Sequence, residues 1–222
     1  MPFSGYFLDK FIAPGISELT SAEIPDMSGY DPESKFWLAN FVLNSGFRGN
    51  FNPPGNAYAY NYLRRTVAAF SEHEEARQAT LAFLSSGRQS LSRYVAATLH
   101  WEFFLGQSWH AYLLLRGLFQ FLTKQDVPQV FVKGEGSVEE RLNYLYNHMK
   151  HAESRIENGQ IIEGATIPVW LTNEGLRSTD ALLTYAATGD ILRDLAKWAN
   201  VIIDPSDMAN RLREVSDGSE HP

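Results

Sequence analysis

Apolar positions recur at helical spacing over most of the chain, and turn residues cut the pattern into segments. "YDPESKFWLANFVLNSG" predicts a helix with Asp31 as N-cap, Pro32 at the first helical position and Gly46 as the stop. "GNFNPPGN", residues 49–56, reads as a loop, because a double proline is incompatible with a helix interior. One helix or a pair follows from Ala57 to Ser85, broken by Ser85-Ser86-Gly87, and a long helix runs from Gln89 to Leu122. Residues 123–137 connect onward, with a short extended piece at 129–133. Ser137 and Glu140 form a capping box that starts a helix at Val138, and Asn158-Gly159 ends it after Glu157. Only "TIPVWLTNEGLRS", residues 166–178, alternates with strand period, which predicts a small β-hairpin around Asn173-Glu174-Gly175. A last helix starts between Thr184 and Asp190, carries Ile191, Leu192, Leu195, Trp198, Ala199 and Ile202, and stops at Asp204-Pro205. Residues 1–30 are rich in Gly, Pro and Ser and predict an irregular N-terminal arm, while the polar residues 206–222 predict a disordered tail. The expected architecture is therefore all-α: a helical bundle forming a single domain over residues 1–205, with one small hairpin near 166–178.

Composition narrows the class. Hydrophobic residues make up 44% of the 222 and aromatic residues 13%, enough to build a core. Cysteine is absent, which excludes disulfides and thiolate metal sites and fits a reducing, cytoplasmic setting. The net charge of −7 is spread out, and residues 161–222 carry 5 basic against 10 acidic groups. No segment holds the dense Lys/Arg field of a non-specific nucleic-acid binder, although a local basic cleft remains open. The N-terminus lacks a signal-peptide pattern. The apolar stretch 94–122 is interrupted by Glu102 and Arg116, leaving Phe103–Leu115 too short to span a bilayer, so no membrane partner is expected.

The chemistry concentrates in "RLNYLYNHMKHAESR", residues 141–155. On a helix, Val138, Leu142, Leu145, Met149, Ala152 and Ile156 form a core seam with spacings of 4, 3, 4, 3 and 4. Arg141, Tyr144, His148, His151 and Arg155 form a neighbouring edge, about 20 Å long at 1.5 Å per residue. Such an edge can be a half-buried polar stripe flanking the core. It can also do chemistry: imidazole exchanges protons near neutral pH, and guanidinium binds phosphate oxygens in a planar fork. Together they could cleave RNA without a metal, a histidine deprotonating the ribose 2′-hydroxyl and an arginine holding the developing charge.

"RLNYLYNHMKH", followed by "IPVWLTNEGL" and a final amphipathic helix, resembles the HEPN superfamily of small helical bundle proteins, over roughly residues 90–203. Residues 1–56 have no counterpart in it. The resemblance implies a cytoplasmic homodimer with a metal-independent endoribonuclease site at a cleft between protomers. Some such proteins are toxins or antiphage effectors; others are inactive and bind nucleotides or protein partners. Two registers fit the family's Arg-polar-His motif. One pairs Arg141 with His148 and departs at Leu142, where a polar residue is preferred. The other pairs Asn147 with His151 and puts Tyr146 where the arginine belongs. The candidate catalytic set is Arg141, Tyr144, Asn147, His148 and His151, acting on RNA with neither cofactor nor metal. The alternative is a non-catalytic helical module that binds a protein or a nucleotide.

Other constellations weigh less. No Glu-x-x-His pair of the di-iron kind occurs, no phosphate loop and no serine elbow. Glu102, among the apolar residues of the long helix, needs a partner such as Arg141 or a histidine, or a raised pKa. Arg64-Arg65 with Tyr58, Tyr60 and Tyr62 could stack on bases, but Tyr at helical spacing more often packs.

Overall fold

A computed structural model describes residues 5–46, 53–87, 90–160 and 164–204. Seven α-helices and a small sheet form in chain order: α1 (Gly5–Phe11), α2 (Asp31–Phe41), α3 (Gly55–Ser85), α4 (Leu91–Thr123), α5 (Val138–Lys150), α6 (Ala152–Glu157), β1 (Trp170–Leu171), β2 (Gly175–Arg177), β3 (Leu182–Thr184) and α7 (Tyr185–Ile203). The architecture is the expected helical bundle with a small β element. None of these helices is long and apolar enough to cross a membrane.

The long helices α3 and α4, each about 45–50 Å at 1.5 Å per residue, lie antiparallel. Side-chain contacts run along the pair in opposite senses, from Phe83 against Tyr94, through Trp101 bonded to Thr80, to Arg65 bonded to Gln107. Helix α7 closes the bundle, with its buried Tyr185, Leu192 and Leu195 facing inward. Buried polar tips find partners: Tyr62 donates to the Leu195 carbonyl at 2.7 Å, and Trp37 to Asn200 at 2.7 Å.

Local sequence accounts for several boundaries. Ser137 caps α5 by accepting from the Glu140 amide at 3.1 Å, as its capping box predicts. The Glu140 carboxylate reaches back to the Gly134 and Gly136 amides, which holds its pKa below the ordinary value and pins the preceding turn. Thr184 caps α7 in the same manner, accepting from the Ala187 amide at 3.2 Å. Helix α2 begins at Asp31 with Tyr30 as its cap, one residue earlier than expected, and ends in a π turn, Val42–Gly46. Helix α3 starts immediately after Pro54, which shortens the expected 49–56 loop; residues 49–52 lie outside the described ones, as does the 206–222 tail.

Three expectations change. The segment read as an irregular arm contains α1 and inserts Leu8, Ala13, Ile16 and Leu19 into the core. Residues 129–133 form no strand; they pass as irregular chain with Val130 and Phe131 against the core. The hairpin gains a third strand, giving an antiparallel sheet ordered β1-β2-β3, with Leu176 paired to Leu183 and Gly175 to Thr184.

His73 sits at the centre of the bundle, fully buried and edge-on to Trp101 and Phe104. Its Nε2 lies 3.0 Å from the Thr188 hydroxyl, whose only proton goes to the Tyr185 carbonyl. The imidazole must therefore be the donor, and it stays neutral because burial lowers its pKa to about 4. An unfolded histidine titrates near 6.5, so the unfolded chain takes up a proton first as pH falls. Stability from neutral His73 is complete above about 6.5 and lost between about 6.5 and about 4, by about 3 kcal/mol. Glu102 works in the other sense: burial raises its carboxyl to about 6, and its contribution is lost as pH rises from about 4.5 to about 6. Urea unfolding of wild type and His73→Phe across this range should show a shallower acid loss in the variant; parallel profiles would refute the assignment.

Candidate functional site at the His148 slot

Helix α5 presents Leu142 and Leu145 to the core, as the seam predicts. Helical dihedrals lapse at His151 (φ −107°, ψ 20°), and the Arg155 amide bonded to the His151 carbonyl bridges α5 to α6. Beyond that junction the seam leaves the core, and Ile156 is exposed.

The polar edge divides at the same place. Tyr144 donates to Glu140 at 3.0 Å and Asn147 to Asn143 at 2.9 Å, both one turn back along their own helix. Arg141 and His151 are exposed, and their side chains enter no hydrogen bond or ion pair among the described residues. Tyr146, which stands in the arginine's place in the second register, has its hydroxyl 3.1 Å from His110 Nε2. His148 alone turns inward, at 7% exposure. Its Nε2 lies 3.1 Å from Asp180 Oδ2, and Arg155 Nη2 lies 3.6 Å from the same oxygen. Of the five predicted residues, only His148 is drawn into a charged cluster, and its partners are Arg155 and Asp180. Glu102 takes neither Arg141 nor a histidine as partner among the described residues, and His100 on the same helix pairs with Glu72 at 2.8 Å.

Asp180 comes from the tight turn between β2 and β3, closed by the Ser178 amide donating to the Ala181 carbonyl at 2.9 Å. That turn folds the carboxylate over α5. Burial lowers the His148 pKa, the Arg155 charge lowers it further, and Asp180 pulls it back up. The net direction is down, so the imidazole is neutral at neutral pH. With Nε2–H donating to Asp180, the lone pair rests on Nδ1.

His148 and Arg155 line a narrow slot of about 30 Å³, with Ala152, Ile156, Ile167 and Trp170 as apolar walls. That is room for a water or a hydroxyl. Trp170 and Thr179 also border a wider groove of about 450 Å³, which holds Arg177, Glu18 and Ser178. The Ser178 hydroxyl is buried there without a hydrogen-bond partner. Among the described residues, no group of three or more His, Asp or Glu is placed to hold a metal ion.

No protein-family model matches the chain, and neither a characterised protein nor a solved structure matches it. The geometry of the slot therefore bears the functional argument.

Proposed function

We propose that this is a HEPN-like, cytoplasmic, homodimeric protein that binds RNA and cleaves it without a metal at the His148 slot. One observation carries the reading: a neutral, buried imidazole oriented by a carboxylate, with a guanidinium on the same carboxylate oxygen. His148 takes the proton of the ribose 2′-hydroxyl, whose oxygen attacks the adjacent phosphorus. The 5′-oxygen leaves with a proton from His151, three residues along the same helix. Arg155 stabilises the charge on the phosphoryl oxygens. The nucleotide lies in the wider groove beside Arg177, and its reacting hydroxyl enters the slot. Arg141, exposed two turns before His148, contacts the RNA backbone outside the reacting centre. Tyr144 and Asn147 brace the helix edge through their own partners.

A second reading has its own support. The cluster ties α5–α6 to the sheet, Arg155 is already paired, and the net charge is −7. Those features suit a non-catalytic helical module that binds a protein or a nucleotide. End-labelled RNA incubated with the protein in EDTA separates the two. The nuclease reading expects fragments ending in 2′,3′-cyclic phosphate, and no cleavage of the same oligonucleotide with 2′-methoxy groups. Intact RNA under these conditions, at every protein concentration tested, would leave the binding module in possession.

A further inference from the structure

Helix α4 turns an apolar stripe to the solvent. Val95, Leu99, Phe103 and Leu113 are each between 41% and 54% exposed. With Glu102, Gly106 and His110 they fall within about 100° of the helical wheel, and the stripe runs for about 27 Å. Large apolar side chains left outside the core along one face of a helix mark an interaction surface.

Three features say what covers it. The first is Gly106, in the middle of the stripe. Glycine inside a helix is destabilising, so its presence calls for a reason. Gly117, on the same helix, has one within the chain: a Cβ there would lie 2.5 Å from Tyr58 Cε1. Gly106 has none, since the nearest atom to its Cβ would be the flexible end of Met149, at 3.9 Å. The close approach that a glycine permits is therefore left for something outside the chain. The second feature is symmetry. Leu99 and Leu113 lie seven residues before and after Gly106, and Glu102 and His110 four before and after. A two-fold axis through Gly106 lays α4 antiparallel on its own copy, with leucine against leucine and carboxylate beside imidazole. The third is charge. Glu102 makes no hydrogen bond or ion pair among the described residues, and burial raises its carboxyl to about 6. At the other end, burial lowers the His110 pKa, and the charges of Arg65 and Lys150 lower it further. Its Nε2 meets the Tyr146 hydroxyl at 3.1 Å, while Nδ1 takes no hydrogen bond among the described residues. One half of the stripe thus carries a carboxylate in want of a donor, and the other half carries the donors.

We propose that a second copy of the chain docks on this face of α4, antiparallel and across a two-fold axis at Gly106. The Tyr146 hydroxyl donates to His110 Nε2, and His110 Nδ1–H donates to the second copy's Glu102, twice by symmetry. The second copy's Leu99 seats in the shallow depression of about 300 Å³ lined by Asn61, Arg65, His110, Leu113 and Leu114. The docking deepens the homodimer of the reading above by placing its interface, and it holds whether or not the protein cleaves RNA.

The chain has no cysteine, so a single introduced thiol reports the axis. Gly106→Cys brings two thiols face to face and should form an intermolecular disulfide under copper phenanthroline, a bond that needs the two Cα atoms within about 7 Å. Leu81→Cys, exposed on α3, is the control and should stay unlinked. Sedimentation equilibrium of the full chain over a concentration series should show a reversible dimer. Glu102→Lys should weaken it by about tenfold or more, and adding His110→Glu should restore it, which a loss of fold could not do. Gly106→Leu should dissociate the dimer without lowering the melting temperature of dilute, monomeric protein, because a Cβ has room. A monomer throughout the series would overturn the docking and the homodimer together. A dimer unchanged by Gly106→Leu and Glu102→Lys, or Gly106→Cys linking no faster than Leu81→Cys, would overturn the docking alone.

Discussion

Replacing His148 with alanine should lower metal-free RNA cleavage by about two to four orders of magnitude, the range for losing a positioned general base. The effect belongs in the rate of the bound complex, because His148 meets the reacting hydroxyl while the rest of the nucleotide binds in the neighbouring groove. Asp180→Asn should give a smaller loss, since the imidazole remains but its tautomer is no longer held. The pH profile provides a sharper signature. The general base must be unprotonated and the general acid protonated, so the profile is bell-shaped and its rising limb follows the His148 pKa. Burial and Arg155 place that pKa below the usual histidine value, so the rising limb lies at lower pH than for an ordinary histidine. Asp180 raises it, so removing the carboxylate shifts the rising limb to still lower pH. Arginine variants separate the two guanidinium roles. Arg155→Ala should depress kcat, whereas Arg141→Ala should raise KM and flatten the salt dependence with little change in kcat. A kcat that follows Arg141 and ignores Arg155 would move the site to the exposed edge of α5 and refute the slot.

Gly175→Ala should destabilise the fold by about 3 kcal/mol, read as a lower urea midpoint. A Cβ at this position would stand 2.1 Å from the Leu183 carbonyl oxygen and 2.6 Å from the Thr184 Cα. Both are backbone atoms of the paired strand, and no rotamer change relieves them. The β2–β3 ladder must open, which frees Leu176 and Leu183 from full burial and disturbs the Thr184 cap of α7. The same strands carry the turn that delivers Asp180, so the variant should also lose the Asp180-dependent part of the His148 pH profile. A midpoint unchanged from wild type would show that the strands close with more room than these distances allow.

Features written in local spacing were legible before folding. Ser137 with Glu140, the break at Ser85-Ser86-Gly87 and the hairpin around Asn173-Glu174-Gly175 each depend on neighbours a few residues apart. The N-terminal segment was hidden because Leu8, Ala13, Ile16 and Leu19 follow no single period, and only tertiary contact shows that they are buried. The third strand is three residues long, too short for alternation to register. At the site, the helical wheel grouped His148 with Arg155 on one edge, but it ranked Tyr144 as their equal, and the family motif added Asn147, although one-turn pairing satisfies both. Asp180 carried no signal: it lies 32 positions from His148, and only the β2–β3 turn brings the two together.

Residues 5–19 bear on experimental design. The Thr166 amide and hydroxyl donate to the Ile12 and Phe11 carbonyls at 2.9 and 2.6 Å, and Gly164, at φ +84°, lets the Asp9 carbonyl approach so closely that a Cβ would lie 2.8 Å from it. Thr166 and its neighbour Ala165 border the slot, so α1 and the chain after it form a foundation beneath the reacting group. An affinity tag or fusion joined ahead of α1 would adjoin the floor under His148, so the RNA-cleavage assay calls for protein with no N-terminal extension.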